Sequence, residues 1–502
     1  MKTKLLAIVL CSLFASQLSA GDFKHDKMKN WPQWRGPTAN GVAIDANPPL
    51  KWDEKTNIKW KVAIPGESSA TPIVWGDKVF VIAAVKTDKK GKVDPNAKAQ
   101  PQRKRQTFTK KQIEEFRKRF AKRRKQNQQA GGNRKTGKTQ RKGRSGGRQR
   151  RGGRRGFFGF GSRTPTNIYK FNVICLDRKS GKVVWQKTAN EVLPHEGKRS
   201  DASFAPCSPV TDGKNLYVSF GSRGIYCYDL NGNLKWKRDL GKMDIVMSFG
   251  EGTSPVVHNG TVIVNWDHQG DSFIYALDSE TGKNKWKVAR NERTTWATPL
   301  IVEHKGRTHV ITSASNRIRS YDLETGKVIW ECSGMTRNVI PSPLASNGYV
   351  YCFSGFRGNS GMAISLDSKG DVSDSDKVLW HVDRGTPYVP SPLLYGEQIY
   401  YLQRNSGILS SVDVKTGKQL FANKRLPDLR TVYASVVGAG GYVFITDRSG
   451  ATRIVKHGPK FESIGTNKLE AVINSSPAIV GNQIFMRSNT HVYCISRSSD
   501  TE

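Results

Sequence analysis

The chain has 502 residues, of which 36% are hydrophobic and 48 are glycine, enough to bury one large core or several ordinary ones. Its formal net charge is +39, but residues 86–163 hold 29 lysines and arginines against 4 acidic residues. That segment contributes +25 and leaves +14 for the rest, which excludes an evenly basic protein and directs arguments about partners to one region.

Residues 1–20 have the layout of a secretory signal peptide. Two lysines precede an apolar run from Leu5 to Phe14, and small residues come before Gly21. The run is too short to span a bilayer, and no later stretch is long and apolar enough. Cys11 follows Leu10, where a lipoprotein signal would have a small residue. We expect an exported chain in the bacterial periplasm or outside the cell, without a lipid anchor or transmembrane segment.

Residues 21–50 form an N-terminal extension that contains WPQWRGP at 31–37, and a repeat follows in residues 51–502. Each unit starts with Ser-Pro or a close variant, continues through two runs of alternating apolar residues, and ends in Asp, Thr-Gly-Lys and an aromatic residue. A period of 40 to 50 residues with three or four short strands is typical of a propeller blade. We predict an all-β, eight-bladed propeller of four-stranded antiparallel blades. The units start near Pro72, Pro209, Pro255, Pro299, Pro343, Pro392, Val436 and Pro477.

A tryptophan recurs at one position of the repeat, where we expect it to pack against the neighbouring blade. The last unit ends without one, whereas residues 57–62, NIKWKV, form an isolated strand that contains one. We therefore predict that this N-terminal strand completes the last blade and closes the ring, which removes exposed sheet edges. The recurring residues are Trp60, Trp185, Trp236, Trp286, Trp330 and Trp380.

A low-complexity insert at 86–165, rich in Lys, Arg and Gly, interrupts the first blade between its second and third strands. Most of it has too few apolar residues to form a core, which predicts a disordered arm. Residues 109–126 alone read as a basic amphipathic helix that docks on a partner or an anionic membrane, or is simply solvated. We expect the arm to bind anionic polysaccharide, lipid surfaces or extracellular DNA, and export argues against dedicated RNA binding. The candidate polyanion contacts are Arg148, Arg150, Arg151, Arg154 and Arg155.

Arginines also recur where the second strand of a blade leads to the third, and in the links between blades. Both kinds of connection emerge on one face of a propeller, so the sequence predicts a cationic funnel for a protein or envelope partner. The alternative is that each arginine pairs with a nearby carboxylate or turn carbonyl. The turn positions are Arg223, Arg317, Arg357, Arg404, Arg448 and Arg487, and the link positions are Arg293, Arg337, Arg384 and Arg430.

Six cysteines remain after the signal peptide. Cys175, Cys227 and Cys494 share one slot of the repeat, where another unit has alanine, and this favours small buried core residues over disulfides. The pairing of Cys207, Cys332 and Cys352 stays open.

The repeat resembles that of the pyrroloquinoline-quinone (PQQ)-repeat eight-bladed propellers, which are WD40-like in architecture. That group includes quinoprotein alcohol dehydrogenases and a non-enzymatic scaffold of the outer-membrane β-barrel assembly machinery. The dehydrogenases imply a quinone, Ca²⁺, a catalytic Asp and a disulfide between adjacent cysteines. This chain has no adjacent cysteine pair. We expect a monomeric, non-catalytic binding scaffold without cofactor or metal, and the alternative is a PQQ- and calcium-dependent dehydrogenase.

Two further features of the sequence could carry chemistry. The acidic cluster Asp371, Asp374 and Asp376 resembles a calcium loop but lacks the remaining ligands, which favours a solvated turn. Asp267-His268 could form an acid–base pair or belong to a structural loop.

Overall fold

The structure is a computed structural model that describes residues 23–92 and 165–497. The predicted signal peptide, with Cys11, and most of the predicted insert, with its helix and its five candidate arginines, lie outside the described residues. The described chain forms eight β-sheets, which are the eight blades of a propeller and confirm the predicted all-β fold. Three short 3₁₀ helices lie at Lys27–Lys29, Gly221–Arg223 and Val246–Ser248.

Each blade is an antiparallel sheet whose strands follow one another from the axis outward. In that order, blade 1 contains Ile73–Trp75, Lys78–Lys90, Asn167–Asp177 and Val183–Val192. Blade 2 contains Val210–Thr211, Asn215–Ser219, Ile225–Asp229 and Leu234–Arg238. Blade 3 contains Val256–His258, Thr261–Trp266, Ser272–Asp278 and Asn284–Arg290. Blade 4 contains Leu300–His304, Arg307–Ser313, Ile318–Asp322 and Val328–Cys332.

The remaining blades follow the same order. Blade 5 contains Leu344–Ser346, Tyr349–Ser354, Ser360–Ser365 and Val378–Val382. Blade 6 contains Leu393–Tyr395, Gln398–Leu402, Ile408–Asp413 and Gln419–Arg425. Blade 7 contains Val437–Ala439, Tyr442–Thr446, Ala451–Lys456 and Ser463–Lys468. Blade 8 contains Ala478–Val480, Gln483–Arg487, His491–Ile495 and, as its outer strand, Ile58–Ala63.

Blade 8 is built from two distant parts of the chain. Strand Ile58–Ala63 pairs antiparallel with His491–Ile495, and Trp60 lies opposite Cys494. The predicted closure of the ring is therefore confirmed. Two short parallel strands were not predicted: Val42–Ala43 pairs with the inner strand of blade 7, and Gly370–Asp371 pairs with the outer strand of blade 4.

A closed ring of hydrogen bonds joins the eight blades around the axis. Two residues before the first strand of each blade lies a Ser or Thr, whose backbone N–H donates to the hydroxyl oxygen of the equivalent residue in the next blade. The donor–acceptor distances are 2.9–3.2 Å, and every member is buried. This explains the Ser-Pro signature of the repeat. The members are Thr71, Ser208, Ser254, Thr298, Ser342, Ser391, Ser435 and Ser476.

The recurring tryptophans join neighbouring blades on the outer side. In five of them the indole N–H donates to a backbone carbonyl of the next blade at 2.8–3.1 Å. The turn glycine of that next blade lies directly under the ring: a Cβ on Gly282, whose φ is +68°, would come within 2.7 Å of Trp236. Only glycine fits both this backbone conformation and this approach.

Trp330 differs from the other five tryptophans. It is fully buried, but its indole N–H has no hydrogen-bond partner in the described part of the chain. The facing turn of blade 5, residues 366–377, lacks the Asp-x-x-Thr-Gly sequence and is longer. In its place the strand Gly370–Asp371 pairs with blade 4, with Gly370 opposite Trp330.

The WPQWRGP motif belongs to a segment, residues 31–43, that contacts six blades, five of them at their inner strands. Trp31 exchanges two backbone hydrogen bonds with Val74, and the indole N–H of Trp34 donates to Ser476 of the hydroxyl ring at 3.4 Å. The segment therefore ties blades together around the axis. Its hydrogen-bonding partners in blades 1, 2, 5, 6, 7 and 8 include Val74, Thr211, Ala345, Leu394, Gly438 and Ser476.

Arg35, within the motif, is a buried arginine whose hydrogen bonds go to the backbone. Its guanidinium donates to the carbonyls of Val436 at 3.1 Å, Pro392 at 2.6 Å and Asn40 at 3.3 Å. Neutral carbonyls do not compensate a charge fully, and burial lowers the pKa of Arg35 to about 9. The three carbonyls nevertheless accept hydrogen bonds from most of the N–H donors of the guanidinium.

The second and third strands of blade 1 extend beyond those of the other blades. They pair as far as Lys90 and Asn167, and the N–H of Gly91 donates to the carbonyl of Thr166 at 3.0 Å. Regular hairpin structure thus reaches into the beginning of the predicted insert.

Candidate functional site

The connections of each blade divide between two ends of the strands. Turns after the second strands and links between blades leave from the same end, because successive strands run in opposite directions. We call this end the funnel face. All ten arginines singled out from the repeat lie in these connections, apart from Arg487, which is the last residue of its strand.

Three of the turn arginines are paired with carboxylates. Arg223 and Glu251 form a buried ion pair at 2.7 Å. Arg317 lies 3.2 Å from Asp371, and it also approaches Glu331 at 3.6 Å. Arg448 donates to the side chain of Asn474. It also lies 3.6 Å from Asp201 and stacks on Tyr433.

Five other arginines are exposed, and their side chains have neither a hydrogen bond nor an ion pair within residues 23–92 and 165–497. They occupy connections from the link between blades 3 and 4 to the link between blades 6 and 7. Arg384, in the same stretch, is 92% exposed and lies 3.9 Å from Asp383. We call the unpaired set the arginine arc: Arg293, Arg337, Arg357, Arg404 and Arg430.

The arc combines exposed cations with aromatic rings and an unfavourable backbone. Arg357 and Arg404 hold equivalent turns of blades 5 and 6 and have φ of +54° and +52°, a region that a side chain with a Cβ rarely adopts. The guanidinium of Arg357 lies over Phe356, which stacks on Tyr388 with ring centroids 4.9 Å apart.

A long link, residues 193–209 between blades 1 and 2, crosses the funnel face; we call it the crossing link. Its Asp201 accepts a hydrogen bond from Tyr433, which belongs to the link between blades 6 and 7, three positions away around the ring. Arg199 holds the same carboxylate through two bonds of 2.9 Å. Nearer its own blades, Lys198 pairs with Glu67 at 3.1 Å.

The start of the crossing link brings His195 and Glu196 close to Glu251. Their donor atoms lie within 4.8 Å of one another, the one group of this kind among the described residues. Desolvation, with the nearby Glu251 charge, raises the pKa of Glu196 to about 8, and burial lowers that of His195. Because Arg223 already neutralises Glu251, a bound cation would compete with that ion pair.

Arg487 stands apart from the other turn arginines. It is 1% exposed, and none of its three guanidinium nitrogens has a hydrogen-bond partner among the described residues. Its register differs from theirs: it is the last residue of its strand, where blades 6 and 7 have Leu402 and Thr446, whereas Arg404 and Arg448 lie two residues further on, in the turns.

The cysteines and the Asp267-His268 pair, the other candidate groups, are buried within the fold. All six cysteines of the described chain are buried and free, including Cys207, Cys332 and Cys352. Asp267 forms a buried pair with Arg290 at 2.7 Å, while His268 hydrogen-bonds to backbone groups of Asp244, Gly270 and Asp271. Asp267 and His268 are therefore engaged separately.

The residues present do not fit a calcium–quinone site. Carboxylates near the funnel face already have partners: Glu251 has Arg223, Asp267 has Arg290, Glu292 has Arg319, and Asp447 accepts three backbone N–H bonds. The chain also lacks adjacent cysteines to stack on a quinone. Within the described ranges, the one close group of three His, Cys, Asp or Glu side chains is His195, Glu196 and Glu251, and its histidine nitrogen departs from the all-oxygen set that Ca²⁺ prefers.

The family model for outer membrane protein assembly factor BamB matches residues 170–355 and 271–502, more than half of the chain. The chain belongs to this family. It is a PQQ-like eight-bladed propeller, as the repeat predicts. No curated protein matched the chain in a sequence search.

Two solved structures show the same fold at low sequence identity. BamB from Moraxella catarrhalis is 16% identical with a TM-score of 0.50, over 66% of this chain and 90% of that one. A europium-containing methanol dehydrogenase is 10% identical with a TM-score of 0.52, over 93% of this chain and 90% of that one. Such identities establish architecture alone. In the residues that the structure describes, no helix is long and apolar enough to cross a membrane.

Proposed function

We propose that the protein is a non-catalytic, exported scaffold of the bacterial envelope, which binds an acidic protein partner through the arginine arc. The observation that carries this proposal is five exposed arginines without partners in the described chain, on successive connections of one face. The family description, an outer membrane assembly factor, supports a role in protein binding.

The composition of the arc is that of a protein interface. Arginine, tyrosine and phenylalanine are enriched where partners bind, because they combine large contact area with directional polar groups. Arg357 with Phe356 and Tyr388 provides such a group. The positive φ of Arg357 and Arg404 costs stability although neither side chain makes a hydrogen bond or ion pair with the described residues, as is common at functional sites.

The test is a charge reversal with a matched control. Arg337→Glu with Arg404→Glu should abolish capture of the envelope partner, because like charges would then face each other. Lys327→Glu with Lys418→Glu changes the net charge equally, but in exposed turns at the other end of the strands, and should leave capture intact. Equal capture by both variants, or equal loss, would refute the arc as the binding site.

We also propose that the insert is a polycationic arm for anionic envelope material. Its net charge of +25 predicts attraction that depends little on the sequence of the polyanion and falls steeply with salt, because counterions are released on binding. Heparin or DNA of arbitrary sequence should be held at low salt and released at a few hundred millimolar.

The described hairpin gives the boundaries for a deletion. Removing residues 93–164 and joining the strands with Asn-Gly keeps the Lys90–Asn167 pairing and should leave the propeller folded. Heparin retention should largely disappear. Retention that persists, or that resists salt, would mean that the polyanion site lies elsewhere.

Quinoprotein dehydrogenase activity is the outcome that would replace the scaffold proposal. Reconstitution with PQQ and Ca²⁺ should give neither stoichiometric quinone absorbance nor dye reduction with alcohols. Turnover under these conditions would refute a non-catalytic role.

A further inference from the structure

Arg487 is a charged side chain enclosed by the protein without a partner in the described chain. It ends the second strand of blade 8 and is 1% exposed, and its Nε, Nη1 and Nη2 atoms are all buried without a hydrogen bond. Burial alone lowers the pKa of its guanidinium to about 10, with no contribution from a nearby carboxylate. The group stays protonated at neutral pH, so a full positive charge is left uncompensated.

The other buried arginines of the described chain each have partners, so enclosure by itself does not explain this case. Arg223 pairs with Glu251, and Arg290 pairs with Asp267. Arg35 donates to three backbone carbonyls. Buried charges in proteins are normally paired in one of these ways, because an unpaired one loses its hydration without replacement. The described residues provide no such replacement for Arg487.

Arg487 lies at the funnel end of blade 8, beside the paired part of the face. Its carbonyl accepts a hydrogen bond from Ser475 at 2.7 Å. The preceding residue, Asn474, holds the guanidinium of Arg448, which in turn lies 3.6 Å from Asp201 of the crossing link. Alternation along the strand places Arg487 on the same side as Phe485, whose ring packs 5.9 Å from Trp60.

We infer that Arg487 binds an oxyanion, the carboxylate or phosphate group of a small molecule that enters the funnel at blade 8. The guanidinium has five N–H donors in a planar fork, which matches two oxygens of a carboxylate or phosphate. All five lack acceptors among the described residues, so one such group would neutralise the charge and accept two of the five N–H bonds. The site is separate from the arginine arc and does not depend on a protein partner.

Access to the site requires a local opening. Arg487 is 1% exposed in the closed propeller, so an anion can reach it only when the surrounding structure opens. Thermal unfolding measures such binding at equilibrium, whatever the route by which the anion enters. A ligand that binds only the folded state raises the unfolding midpoint with the logarithm of its concentration.

The experiment compares unfolding midpoints in inorganic phosphate and in acetate, each against NaCl of equal ionic strength. The wild-type midpoint should rise with one or both anions beyond the rise in NaCl. A response to phosphate alone indicates a phosphate ligand, and a response to acetate alone indicates a carboxylate. Absence of any rise beyond NaCl would overturn the inference.

Two variants locate the response. Arg487→Met should lose it, and in NaCl alone this variant should unfold at a higher temperature than wild type, because it removes an unpaired buried charge. Arg448→Met, a neighbouring arginine that already has partners, should keep it. Three results would each contradict the site. The anion response could persist in Arg487→Met, it could disappear in Arg448→Met, or Arg487→Met could unfold at a lower temperature than wild type in NaCl.

A conservative variant and an arc variant complete the set. Arg487→Lys keeps the charge but not the planar fork, so the anion response should weaken without vanishing. Arg337→Glu with Arg404→Glu should keep the full response, which separates a failure of this site from a failure of the partner-binding proposal.

Discussion

The two sides of the funnel face use the same sequence positions differently. On the side of blades 7, 8, 1 and 2, Arg448 meets Asp201 of the crossing link, and Arg223 meets Glu251 of the link between blades 2 and 3. On blades 5 and 6 no carboxylate of the described chain pairs with the turn arginines, and Arg357 and Arg404 stay exposed. An arginine in a blade turn is therefore structural or available for binding according to what the neighbouring link carries.

The largest effect should come from breaking the buried ion pair between Arg223 and Glu251. Glu251→Gln leaves Arg223 enclosed without a counter-charge, and we expect a loss of about 3 to 5 kcal/mol of unfolding free energy. Denaturant titration measures it. Glu280→Gln removes the partner of Lys235 in an exposed pair and should cost less than about 1 kcal/mol. Similar losses for both would mean that burial of the first pair has no energetic consequence.

A pH effect should follow from Glu196 on the same side. Its pKa of about 8 in the folded state lies above its ordinary value near 4.5, so the folded protein binds the extra proton and loses stability as pH rises from about 5 to 8. Glu196→Gln should be more stable than wild type by roughly 1 to 3 kcal/mol at pH 8 and nearly equal at pH 5.

His195 acts in the opposite direction but is present in both proteins. Its lowered pKa means that its contribution is lost as pH falls below about 6.5, equally in wild type and variant. A difference that keeps its pH 8 value down to pH 5 would show that Glu196 is ionised throughout, and no difference at either pH would show that it stays protonated.

On blades 5 and 6, where the turn arginines are exposed, one substitution should raise stability and weaken binding. Arg357→Gly relieves a left-handed backbone at φ +54° and should raise the unfolding free energy by up to about 1 kcal/mol while weakening partner capture. Arg337→Gly is the control, because Arg337 does not have a positive φ, and glycine should lower stability there. If Arg357→Gly is the less stable variant, the turn is not strained.

The smallest effects should come from single alanine substitutions in the arc. Arg293→Ala and Arg430→Ala should each change unfolding free energy by less than about 0.5 kcal/mol, since they lose no polar contact with the described residues. Arg448→Ala removes a hydrogen bond to Asn474 and stacking on Tyr433, and about 1 kcal/mol should be lost. Equal values would erase the distinction between the two sides.

Periodic features of the chain were predictable, and single contacts across the ring were not. The Ser-Pro starts and the outer strand around Trp60 recur with the repeat, so blade number and ring closure follow from spacing. Asp201 and Tyr433 are more than 200 residues apart in unlike links, and nothing in either segment indicates their contact. The burial of Arg487, by contrast, could have been suspected, because the repeat places it at the last strand position, where blades 6 and 7 have Leu402 and Thr446.

The contacts of the N-terminal motif could not be predicted for a different reason. WPQWRGP marks the family resemblance, but its tryptophans and arginine have no period to show where they bind. Arg35 meets carbonyls of residues near 392 and 436, and these acceptors are backbone groups without a sequence signature.

Because blade 8 takes its strands from two distant parts of the chain, these strands are synthesised at different times. Its outer strand, Ile58–Ala63, leaves the ribosome early, but its pairing partner is His491–Ile495. At 5–20 residues per second, the intervening chain takes roughly 20 to 90 s to make, and during this time the first strand has no place in a sheet. Seven blades can assemble while the chain is still growing, whereas the eighth can form only when translation is nearly complete.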